Sequence, residues 1–397
     1  MIISNTFQNI QSFFIFDEIL VVFIQRASYG DFDTFCILQI IVFRKMKKSC
    51  KIIVGLSGGV DSAVTAGLLI RQGWEVHGVF LCLVKGSLQE QHAHDAKKIA
   101  EHFNIPFDTM DISGHFEKTV LKPFIREYLN GRTPNPCILC NPLVKFHALL
   151  KEADKKGANK IATGHYVRVL YNDKTRRWQL RRGGDRTRDQ SYFLARLPRL
   201  QLSSFLAPLG EFSKQDVHKL AKEMNLDFLI PKPSSQEICF IRSSYREFLQ
   251  SRLEVKKHLK PGDIVDKKGQ VLGTHKGLAF YTIGQREGLG ISFKHPLYVI
   301  KIDSKKNQLV VGASEDRYSS HLFARDLSWI AFEKLTEPIR AEAQIRYRKK
   351  ASPALVMPKA GDEIVEVRFD EPQLSITPGQ SCVFYEKDTV LGIGTIL

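Results

Sequence analysis

Long apolar runs are missing from this 397-residue sequence. Near the N-terminus, Phe13–Phe16 and Ile19–Ile24 are apolar, but charged residues separate them. Neither approaches the length of about 20 apolar residues that a membrane-spanning helix needs. No basic start leads into an apolar stretch with a small-residue cleavage site, so a signal peptide is not predicted. We therefore expect a cytoplasmic protein without a membrane partner.

Acidic residues are too few to balance the basic ones. The chain has 58 Lys and Arg against 42 Asp and Glu, a formal net charge of +16 at neutral pH. A basic excess of this size favours a polyanionic partner, and nucleic acid ranks ahead of a membrane surface. The same charge also suits a well-solvated surface, so on its own it does not decide the function.

The cysteine content does not fit a secreted disulfide scaffold, because the count of seven is odd and the chain is long. A reducing cytosol, with some thiols free to react, fits better. The seven residues are Cys36, Cys50, Cys82, Cys137, Cys140, Cys239 and Cys382.

The length predicts two or three domains, at roughly 100–200 residues each. The first 45 residues differ in character from the rest, and Met46 stands shortly before a strongly predicted strand. Our hypothesis is that translation starts at Met46 and that residues 1–45 are not part of the native protein. The predicted domains are an extension at 1–45 and three further units at 46–212, 213–310 and 311–397.

From Lys51 onward, β-branched runs alternate with helical patterns. This alternation predicts an α/β domain with a doubly wound, mostly parallel sheet and helices on both faces. The predicted strands are Lys51–Gly55, Glu75–Cys82, Phe107–Ile112 and Lys160–Thr163, and the helices are Ser62–Gln72, His92–Phe103, Phe116–Leu129 and Leu143–Lys156.

The pattern changes after that domain. Val167–Tyr171 and Trp178–Arg182 predict a hairpin. From about Pro261 the sequence predicts short strands separated by glycines, one of them at Ala279–Ile283. From about Leu322 to the end, strand-like runs predict a small β-barrel or sandwich. These runs are Ala341–Arg346, Glu363–Phe369, Ser381–Tyr385 and Val390–Ile396.

The strongest local motif is Gly55–Ser62, GLSGGVDS, between a predicted strand and a helix. Its glycines allow the backbone to approach a phosphate, and the helix N-terminus offers free N–H groups to an anion. Ser57 and Ser62 add hydroxyl donors, and Asp61 supplies the oxygen ligand that Mg²⁺ prefers. The lysine of the usual P-loop is missing. The simpler alternative is a glycine turn followed by a Ser/Asp helix cap.

A second motif contains Cys137 and Cys140 in a C-x-x-C spacing behind two prolines, in a predicted loop at the carboxyl edge of the sheet. A zinc half-site is disfavoured because no second C-x-x-C or matching histidine pair exists in the sequence. A redox pair, a nucleophile or sulfur carrier, and an inert buried pair remain as alternatives. A third motif contains Cys239 between Ile238 and Phe240, a setting that by itself is more typical of a core.

Taken in order, these motifs resemble the bacterial tRNA-specific 2-thiouridylases, and Gly55–Ser62 resembles the pyrophosphate loop of the ATP pyrophosphatase superfamily. The resemblance runs from about Lys51 to the C-terminus. The matching segments are Gly55–Ser62, Asn135–Cys140, Thr163–Tyr166, Asp189–Leu194, Ser235–Phe240 and Gly277–Arg286.

The resemblance implies an adenine nucleotide alpha-hydrolase-like catalytic domain, a central tRNA-binding domain and a C-terminal β-barrel. It implies that ATP, with Mg²⁺, adenylates O2 of the wobble uridine U34, and that a persulfide sulfur then displaces AMP. Cys140 would be the nucleophile and Cys239 the persulfide carrier, and the two would alternately form a disulfide bond.

The resemblance also implies binding residues and partners. The ATP site would comprise Gly55, Leu56, Ser57, Gly58, Gly59, Val60, Asp61, Ser62, Leu81 and Gly164. The tRNA would contact Asn135, Pro136 and Cys137 at the target base, and His165, Arg188, Asp189, Gln190, Arg346, Tyr347 and Gln380 elsewhere. The expected partners are the tRNAs for Glu, Gln and Lys, and a cysteine desulfurase or sulfur-relay protein as donor.

One departure from the family pattern affects the chemistry. Many relatives have an aspartate at the position of Cys137, so a carboxylate role is not transferred to this residue. Cys137, Cys140 and Cys239 also match thiolases that hold an iron–sulfur cluster, and a 4Fe-4S cluster is the alternative to the persulfide relay that we expect.

Three rival functions follow from the same motifs. The first is another pyrophosphate-loop enzyme acting on tRNA, such as a lysidine synthetase, which needs no cysteines. The second is an amidotransferase-type synthetase with a small substrate, which leaves the basic charge unexplained. The third is a tRNA-binding protein with a vestigial loop, which ATP-to-AMP turnover would exclude.

Overall fold

The structure is a computed structural model that describes residues 50–229, 238–241, 244–359 and 363–397, and the backbone of three strands nearer the N-terminus. Those strands, β1 (Ile10–Phe16), β2 (Ile19–Ile24) and β3 (Gln39–Arg44), form an antiparallel sheet. Met46 and the motif residues Ser234–Glu237 lie outside the described residues. The hypothesis about the start of translation therefore stays a prediction.

The predicted parallel sheet is confirmed in the first unit. Its five strands have the order β10-β7-β4-β5-β6, and every pairing is parallel. The elements up to its fourth strand are β4 (Lys51–Gly55), α1 (Val60–Arg71), β5 (Glu75–Cys82), α2 (Ser87–His102), β6 (Phe107–Asp111), α3 (Ser113–Phe116), a π-helical turn at Glu117–Leu121, α4 (Lys122–Leu129), α5 (Pro136–Cys140), a second π-helical turn at Asn141–Phe146, α6 (His147–Lys155) and β7 (Lys160–Ala162). The elements that follow are β8 (Val167–Asn172), β9 (Arg177–Arg182), α7 (Ser191–Leu194), α8 (Arg199–Ser204), β10 (Phe205–Leu206), α9 (Lys214–Glu223) and a 3-10 turn at Asp227–Leu229.

The central strand β4 explains why this part of the sequence is so apolar. Alternate side chains of a strand point to opposite faces of the sheet. Ile52 and Val54 pack with the side chains of α1, whereas Ile53 packs on the other face with Leu149 of α6. Both faces are therefore covered by helices, and the loop after β4 emerges at the carboxyl edge of the sheet, where ligands bind in such folds.

The remaining residues form a middle unit and a barrel. The middle unit comprises α10 (Tyr245–Ser251), α11 (Leu253–His258), β11 (Gly262–Val265), β12 (Val271–His275), a 3-10 turn at Leu278–Phe280, β13 (Tyr298–Asp303) and β14 (Gln308–Gly312). The barrel comprises a 3-10 turn at Glu315–Arg317, β15 (Tyr318–Trp329), β16 (Ile339–Gln344), β17 (Ser352–Pro358), β18 (Ile364–Leu374), β19 (Ser381–Glu386) and β20 (Thr389–Ile396).

The barrel closes because β15 pairs with both β18 and β20. The strand order β15-β18-β17-β16-β19-β20 then continues into β9 and β8. The hairpin predicted around Asn172 is therefore present, but it extends the C-terminal sheet, through the pairing of Arg181 with Thr389.

Two sequence expectations are wrong in detail. The strand expected at Ala279–Ile283 is a 3-10 turn at Leu278–Phe280 followed by extended backbone, because a short buried apolar run does not distinguish the two. The second correction concerns Cys137 and Cys140, which were expected in a loop and lie in helix α5. Asn135 caps this helix and Pro136 occupies its first turn, a position that tolerates proline.

Candidate active site

The loop between β4 and α1 requires glycine. Gly58 has a φ of +80°, and a Cβ built on it would lie 2.7 Å from the carbonyl oxygen of His92. The backbone N–H of Leu56 donates to the carbonyl of Val79 at 2.9 Å and fixes the loop to the neighbouring strand β5. Any larger residue at Gly58 would push the loop away from α2.

The N-terminus of α1 is free to bind an anion. Its N-cap residue is Gly59, and within the described part of the chain no side chain caps this helix end. Ser62 turns inward instead: its hydroxyl accepts from the Ser57 N–H at 3.1 Å and donates to the Gly59 carbonyl at 2.9 Å. The exposed Ser57 side chain and the N–H groups of the first turn remain to bind a phosphate.

Asp61 is held by two residues from distant parts of the sequence. Its Oδ1 atom lies 2.5 Å from Lys214 Nζ and accepts a hydrogen bond from the Tyr166 hydroxyl at 2.6 Å. Burial and the Asp61 charge raise the pKa of Tyr166, so its hydroxyl stays a donor. This arrangement brings a cation to a phosphate-type loop that has no lysine of its own.

The sequence motifs do not include Lys214, although its position at the start of a predicted helix could have pointed to it. It stands in the first turn of α9, which Ser213 and Asp216 close with a reciprocal capping box. A cation at this end of a helix opposes the helix dipole. That unfavourable position is a reason to suspect a functional role.

Gly164 packs directly against the loop, and Leu81 lies near the C-terminal end of the neighbouring strand β5. A Cβ on Gly164 would lie 2.8 Å from the Asp61 carbonyl carbon and 2.9 Å from the Ser62 nitrogen, so only glycine fits against the loop. Leu81 lies near the end of β5, opposite Met110 of β6, and is only partly buried. The glycines, the uncapped helix and Lys214 fit a nucleoside triphosphate at this edge.

The two thiols of α5 share one helix face because they are three residues apart. Burial raises the pKa of Cys140 to about 12 and that of Cys137 to about 11. Both are free thiols. At neutral pH both are therefore protonated, and Cys140 becomes a good nucleophile only when its environment changes or a base takes the proton.

Cys239 is the exposed member of the set. The neighbouring Phe240 anchors its segment through edge-on contacts with Phe116 at 5.5 Å, Phe124 at 5.3 Å and Phe248 at 5.3 Å between ring centroids. Phe240 and Ile238, which flank Cys239, pack in the same apolar cluster as the buried Cys140. The structure thus brings together cysteines about 100 residues apart in the sequence.

Lys145, a second residue missed in the sequence analysis, lies beside these thiols. Cys140 ends α5, and Lys145 follows it on the π-helical turn, the turn type often found at functional sites. Burial alone would lower the pKa of Lys145. Negative charge on Cys140, Cys239 and Cys137 outweighs that effect and raises the pKa, so Lys145 is a cation that pairs with a thiolate when one forms. Its position five residues after the candidate nucleophile Cys140 could have pointed to this role.

His165 is neutral in this environment. Burial lowers its pKa to about 3, and the Lys145 charge acts in the same direction. Its Nδ1 lies 2.6 Å from Thr163 Oγ1, which can donate to it. A neutral imidazole at this place can form hydrogen bonds but does not neutralise a phosphate.

Two other residues expected to contact tRNA are engaged inside the chain. The Asp189 carboxylate is buried and accepts from the N–H groups of Gly183 and Ser191, each at 3.0 Å. The Gln190 side-chain oxygen accepts from the Tyr166 N–H at 2.9 Å. Their positions order the loop that carries Arg188, which lies close enough to Tyr166 to lower its pKa.

The expected contacts from the barrel are also engaged internally. The Arg346 guanidinium donates to the carbonyls of Leu374 at 3.0 Å and Ser375 at 2.6 Å. The ring of Tyr347 packs 4.3 Å from that of Phe193, and Gln380 donates to the Thr133 carbonyl at 2.8 Å. Tyr347 and Gln380 therefore connect the barrel to the catalytic unit.

The described residues do not form a site of the kind that an iron–sulfur cluster needs. Among the described residues, no group of three or more His, Cys, Asp or Glu side chains is arranged to hold a metal ion. Cys137, Cys140 and Cys239 do not fit an iron–sulfur cluster in this arrangement.

Comparison with known proteins gives matches along the same three units. The family models described as tRNA methyl transferase HUP domain, tRNA methyl transferase PRC-barrel domain and aminomethyltransferase beta-barrel domain match residues 50–243, 246–313 and 319–396. The tRNA-specific 2-thiouridylase MnmA of Carboxydothermus hydrogenoformans is 44% identical over 358 residues, covering 87% of this chain and 97% of that protein. The chain belongs to the tRNA-specific 2-thiouridylase family.

Other members of the family give similar values. The Caldanaerobacter subterraneus protein, tRNA-specific 2-thiouridylase MnmA 1, is 46% identical over 363 residues, covering 88% of this chain and 99% of that protein. The Natranaerobius thermophilus protein is 43% identical over 366 residues, covering 89% and 98%. The three family models match an α/β unit, a middle unit and a C-terminal β-barrel in that order. This order confirms the fold class that the sequence predicts. Within the described residues, no helix has the length and apolar character needed to cross a membrane.

Proposed function

We propose that this chain catalyses ATP-dependent 2-thiolation of the wobble uridine U34 in tRNA. The observation that carries the proposal is that Ile238 and Phe240, which flank Cys239, pack in the same apolar cluster as Cys140, and Cys140 belongs to the unit that also carries Gly55–Ser62. Family membership supports it. A phosphate-type loop alone fits many ATP-using enzymes, but a loop with two distant thiols fits sulfur transfer.

In the first step, ATP activates the base. The Gly55–Ser62 loop and the α1 N-terminus hold the phosphates, with Leu81 and Gly164 on the adenine side. Lys214 balances the charge of the leaving pyrophosphate. The uracil O2 attacks the α-phosphorus, the bond to the β-phosphate oxygen breaks, and the N3 proton is lost. Bound to the phosphates, Mg²⁺ would supply further charge neutralisation, and Asp61 is the residue available to hold it.

In the second step, sulfur replaces AMP. The donor loads Cys239 as a persulfide. The Cys140 thiolate attacks Cys239 Sγ, forms a disulfide and releases hydrosulfide, which adds to C2 of the base and expels AMP. A dithiol reductant then supplies two electrons and returns both cysteines to thiols. Lys145 stabilises the Cys140 thiolate when it forms.

The substrate must enter with its base turned outward. Asn135, Pro136 and Cys137 precede Cys140 on the same helix and supply the surface for that base. Extruding a stacked base costs a few kcal/mol, which the phosphate contacts of a basic surface offset. His165, Arg188, Asp189, Gln190, Arg346, Tyr347 and Gln380 are the proposed tRNA-facing residues.

The partners follow from this chemistry. The tRNAs for Glu, Gln and Lys are the proposed acceptors, and a cysteine desulfurase or sulfur-relay protein is the proposed donor. The exposed position of Cys239 suits loading by a protein donor. We propose that the reaction takes place in the cytoplasm, where the free thiols of Cys140 and Cys239 are maintained.

The family-model descriptions mention methyl transfer, whereas the curated relatives are named 2-thiouridylases. The site favours sulfur transfer, because methyl transfer requires neither an ATP-splitting loop nor a pair of converging thiols. The rival pyrophosphate-loop enzymes predict that both cysteines are dispensable.

The test combines unmodified tRNA, Mg-ATP and a persulfide donor, followed by mass spectrometry of the nucleosides. Wild type should form 2-thiouridine and AMP, and Cys140→Ser and Cys239→Ser should form no 2-thiouridine. Formation of tRNA-dependent AMP without thiolated base in the wild type would retain the loop assignment and reject the sulfur chemistry. Methylated uridine in place of 2-thiouridine would reject the proposal.

A further inference from the structure

The segment Gly277–Arg286, GLAFYTIGQR, has no part in the proposed ATP and sulfur-transfer steps. It lies in the middle unit between β12 and β13 and starts with a glycine whose φ is +131°. It contacts segments that carry both candidate cysteines. Its position therefore bears on how those two sulfur atoms are brought together.

On one side, the segment contacts the approach to α5. The hydroxyl oxygens of Thr282 and Thr133 are 2.5 Å apart, and Thr133 stands two residues before Asn135, which caps the helix that carries Cys140. The Thr282 backbone N–H is in turn 3.2 Å from the side-chain oxygen of Gln285, which orients it. One hydrogen bond thus joins the middle unit to the loop that leads to the nucleophile.

On the other side, the segment contacts the helix that follows Cys239. The carbonyl oxygen of Phe280 accepts from the Tyr245 hydroxyl at 3.2 Å and from Arg246 Nε at 3.0 Å. Tyr245 stacks on Tyr128 of α4, with ring centroids 5.0 Å apart and an interplanar angle of 20°. Ala279 is buried in the same apolar cluster as Cys140.

The C-terminal barrel also contacts Thr133. The Thr133 N–H donates to the carbonyl of Pro378 at 2.9 Å, and its carbonyl accepts from Gln380 at 2.8 Å. A Cβ on Gly284 would lie 2.6 Å from the Ser375 hydroxyl, so the segment packs closely on the barrel as well. Thr133 is therefore joined to both other units.

We propose that Gly277–Arg286 is a positioning element for sulfur transfer, and that the hydroxyl pair Thr282–Thr133 holds the Cys140 helix in register with the Cys239 segment. The inference rests on the proposed function. Formation of the Cys140–Cys239 disulfide requires two sulfur atoms from separate segments to meet. A misplacement of about 1 Å at such a step costs on the order of a hundredfold in rate. Among the residues that the structure describes, no hydrogen bond joins Gly55–Ser62 to this segment, so activation of the base should be spared.

The experiment compares Thr282→Val, which keeps the shape and removes the hydroxyl, with Thr282→Ser, which keeps the hydroxyl. Thr274→Val, an exposed threonine on β12 of the same unit, is the matched control. We expect Thr282→Val to slow 2-thiouridine formation about tenfold and to leave tRNA-dependent AMP formation within about twofold. Thr282→Ser and Thr274→Val should both resemble wild type.

A second readout needs neither tRNA nor ATP. Limited oxidation of the free protein, followed by peptide mapping, gives the rate at which the Cys140–Cys239 disulfide forms, and Thr282→Val should lower it by a similar factor. In the double variant Thr133→Val/Thr282→Val the rate should fall no further than in the single variants, because the two hydroxyls act as one contact.

The inference is overturned if Thr282→Val forms both the disulfide and 2-thiouridine at the wild-type rate. It is also overturned if AMP formation and thiolation fall together with the melting temperature, since a general loss of structure would explain that. If wild type forms no 2-thiouridine, the proposed function fails. The disulfide rate then still decides whether the segment positions the two cysteines.

Discussion

Lys214 Nζ lies 2.5 Å from Asp61 Oδ1, although the two residues are 153 positions apart in the sequence. One residue opens α9 and the other stands in the first turn of α1, so the pair joins two helix N-termini at the carboxyl edge of the sheet. Two positive dipole ends and an ammonium group there attract an anion, and the Asp61 carboxylate balances the lysine until one binds.

Removing this cation should impair the ATP step. We expect Lys214→Met to lower tRNA-dependent AMP formation about a hundredfold, because a charged contact to the phosphates in the transition state is lost. Lys214→Arg should retain part of the activity. Lys222→Met, at an exposed position on the same helix, is the control and should retain wild-type activity. Unchanged AMP formation in Lys214→Met would contradict the assignment.

A methyl group at Gly164 should displace the neighbouring loop Gly55–Ser62. A Cβ there approaches backbone atoms of Asp61 and Ser62, which cannot move without displacing the phosphate site. We expect Gly164→Ala to weaken ATP binding, measured by equilibrium titration, by roughly tenfold or more. Gly114→Ala places its Cβ in open space and should bind ATP normally. Equal affinities for the two variants would count against the assignment of this edge.

Much of the catalytic fold was predictable because its signals are local. The strand Lys51–Gly55 and the strand Glu75–Cys82 were predicted with their observed bounds, since buried parallel strands form continuous apolar runs between turn residues. The phosphate-type loop followed from its glycines and from the helix after it.

The residues missed depend on long-range contacts or on unusual backbone. Lys214 reaches Asp61 only through the packing of α9 on α1, which no sequence spacing encodes. Lys145 lies on a π-helical turn, whose periodicity differs from the α-helix that the pattern predicted. Strand β17 was missed because Pro353 and Pro358 argue against a strand.

The thiols should differ strongly in reactivity. Cys239 is exposed, whereas burial raises the pKa of Cys140 from the usual 9.0 to about 12. Because the thiolate is the reactive form, Cys140 should react very slowly with iodoacetamide at pH 8 and faster as the pH rises toward 12. Peptide mapping of the ligand-free protein should therefore find Cys239 modified first. Faster labelling of Cys140 than of Cys239 at pH 8 would contradict the placement.

Lys145 should favour the thiolate of its neighbour. Loss of its positive charge in Lys145→Met raises the pKa of Cys140 further, so alkylation of Cys140 at a given alkaline pH should slow severalfold. Lys145→Arg keeps the charge and should react nearly as wild type. Lys151→Met, an exposed lysine on α6, controls for a general change in charge. An unchanged Cys140 pH profile in Lys145→Met would exclude this role.

The path of the sulfur atom is the central claim, and a single-turnover experiment tests it. The protein is loaded by a donor that carries a heavy sulfur isotope, separated from the donor, and mixed with unmodified tRNA and Mg-ATP. We expect the label to appear in 2-thiouridine, Cys239→Ser to yield none, and the spent protein to contain a Cys140–Cys239 disulfide. Labelled 2-thiouridine formed by Cys239→Ser, or unlabelled 2-thiouridine formed by wild type, would contradict it.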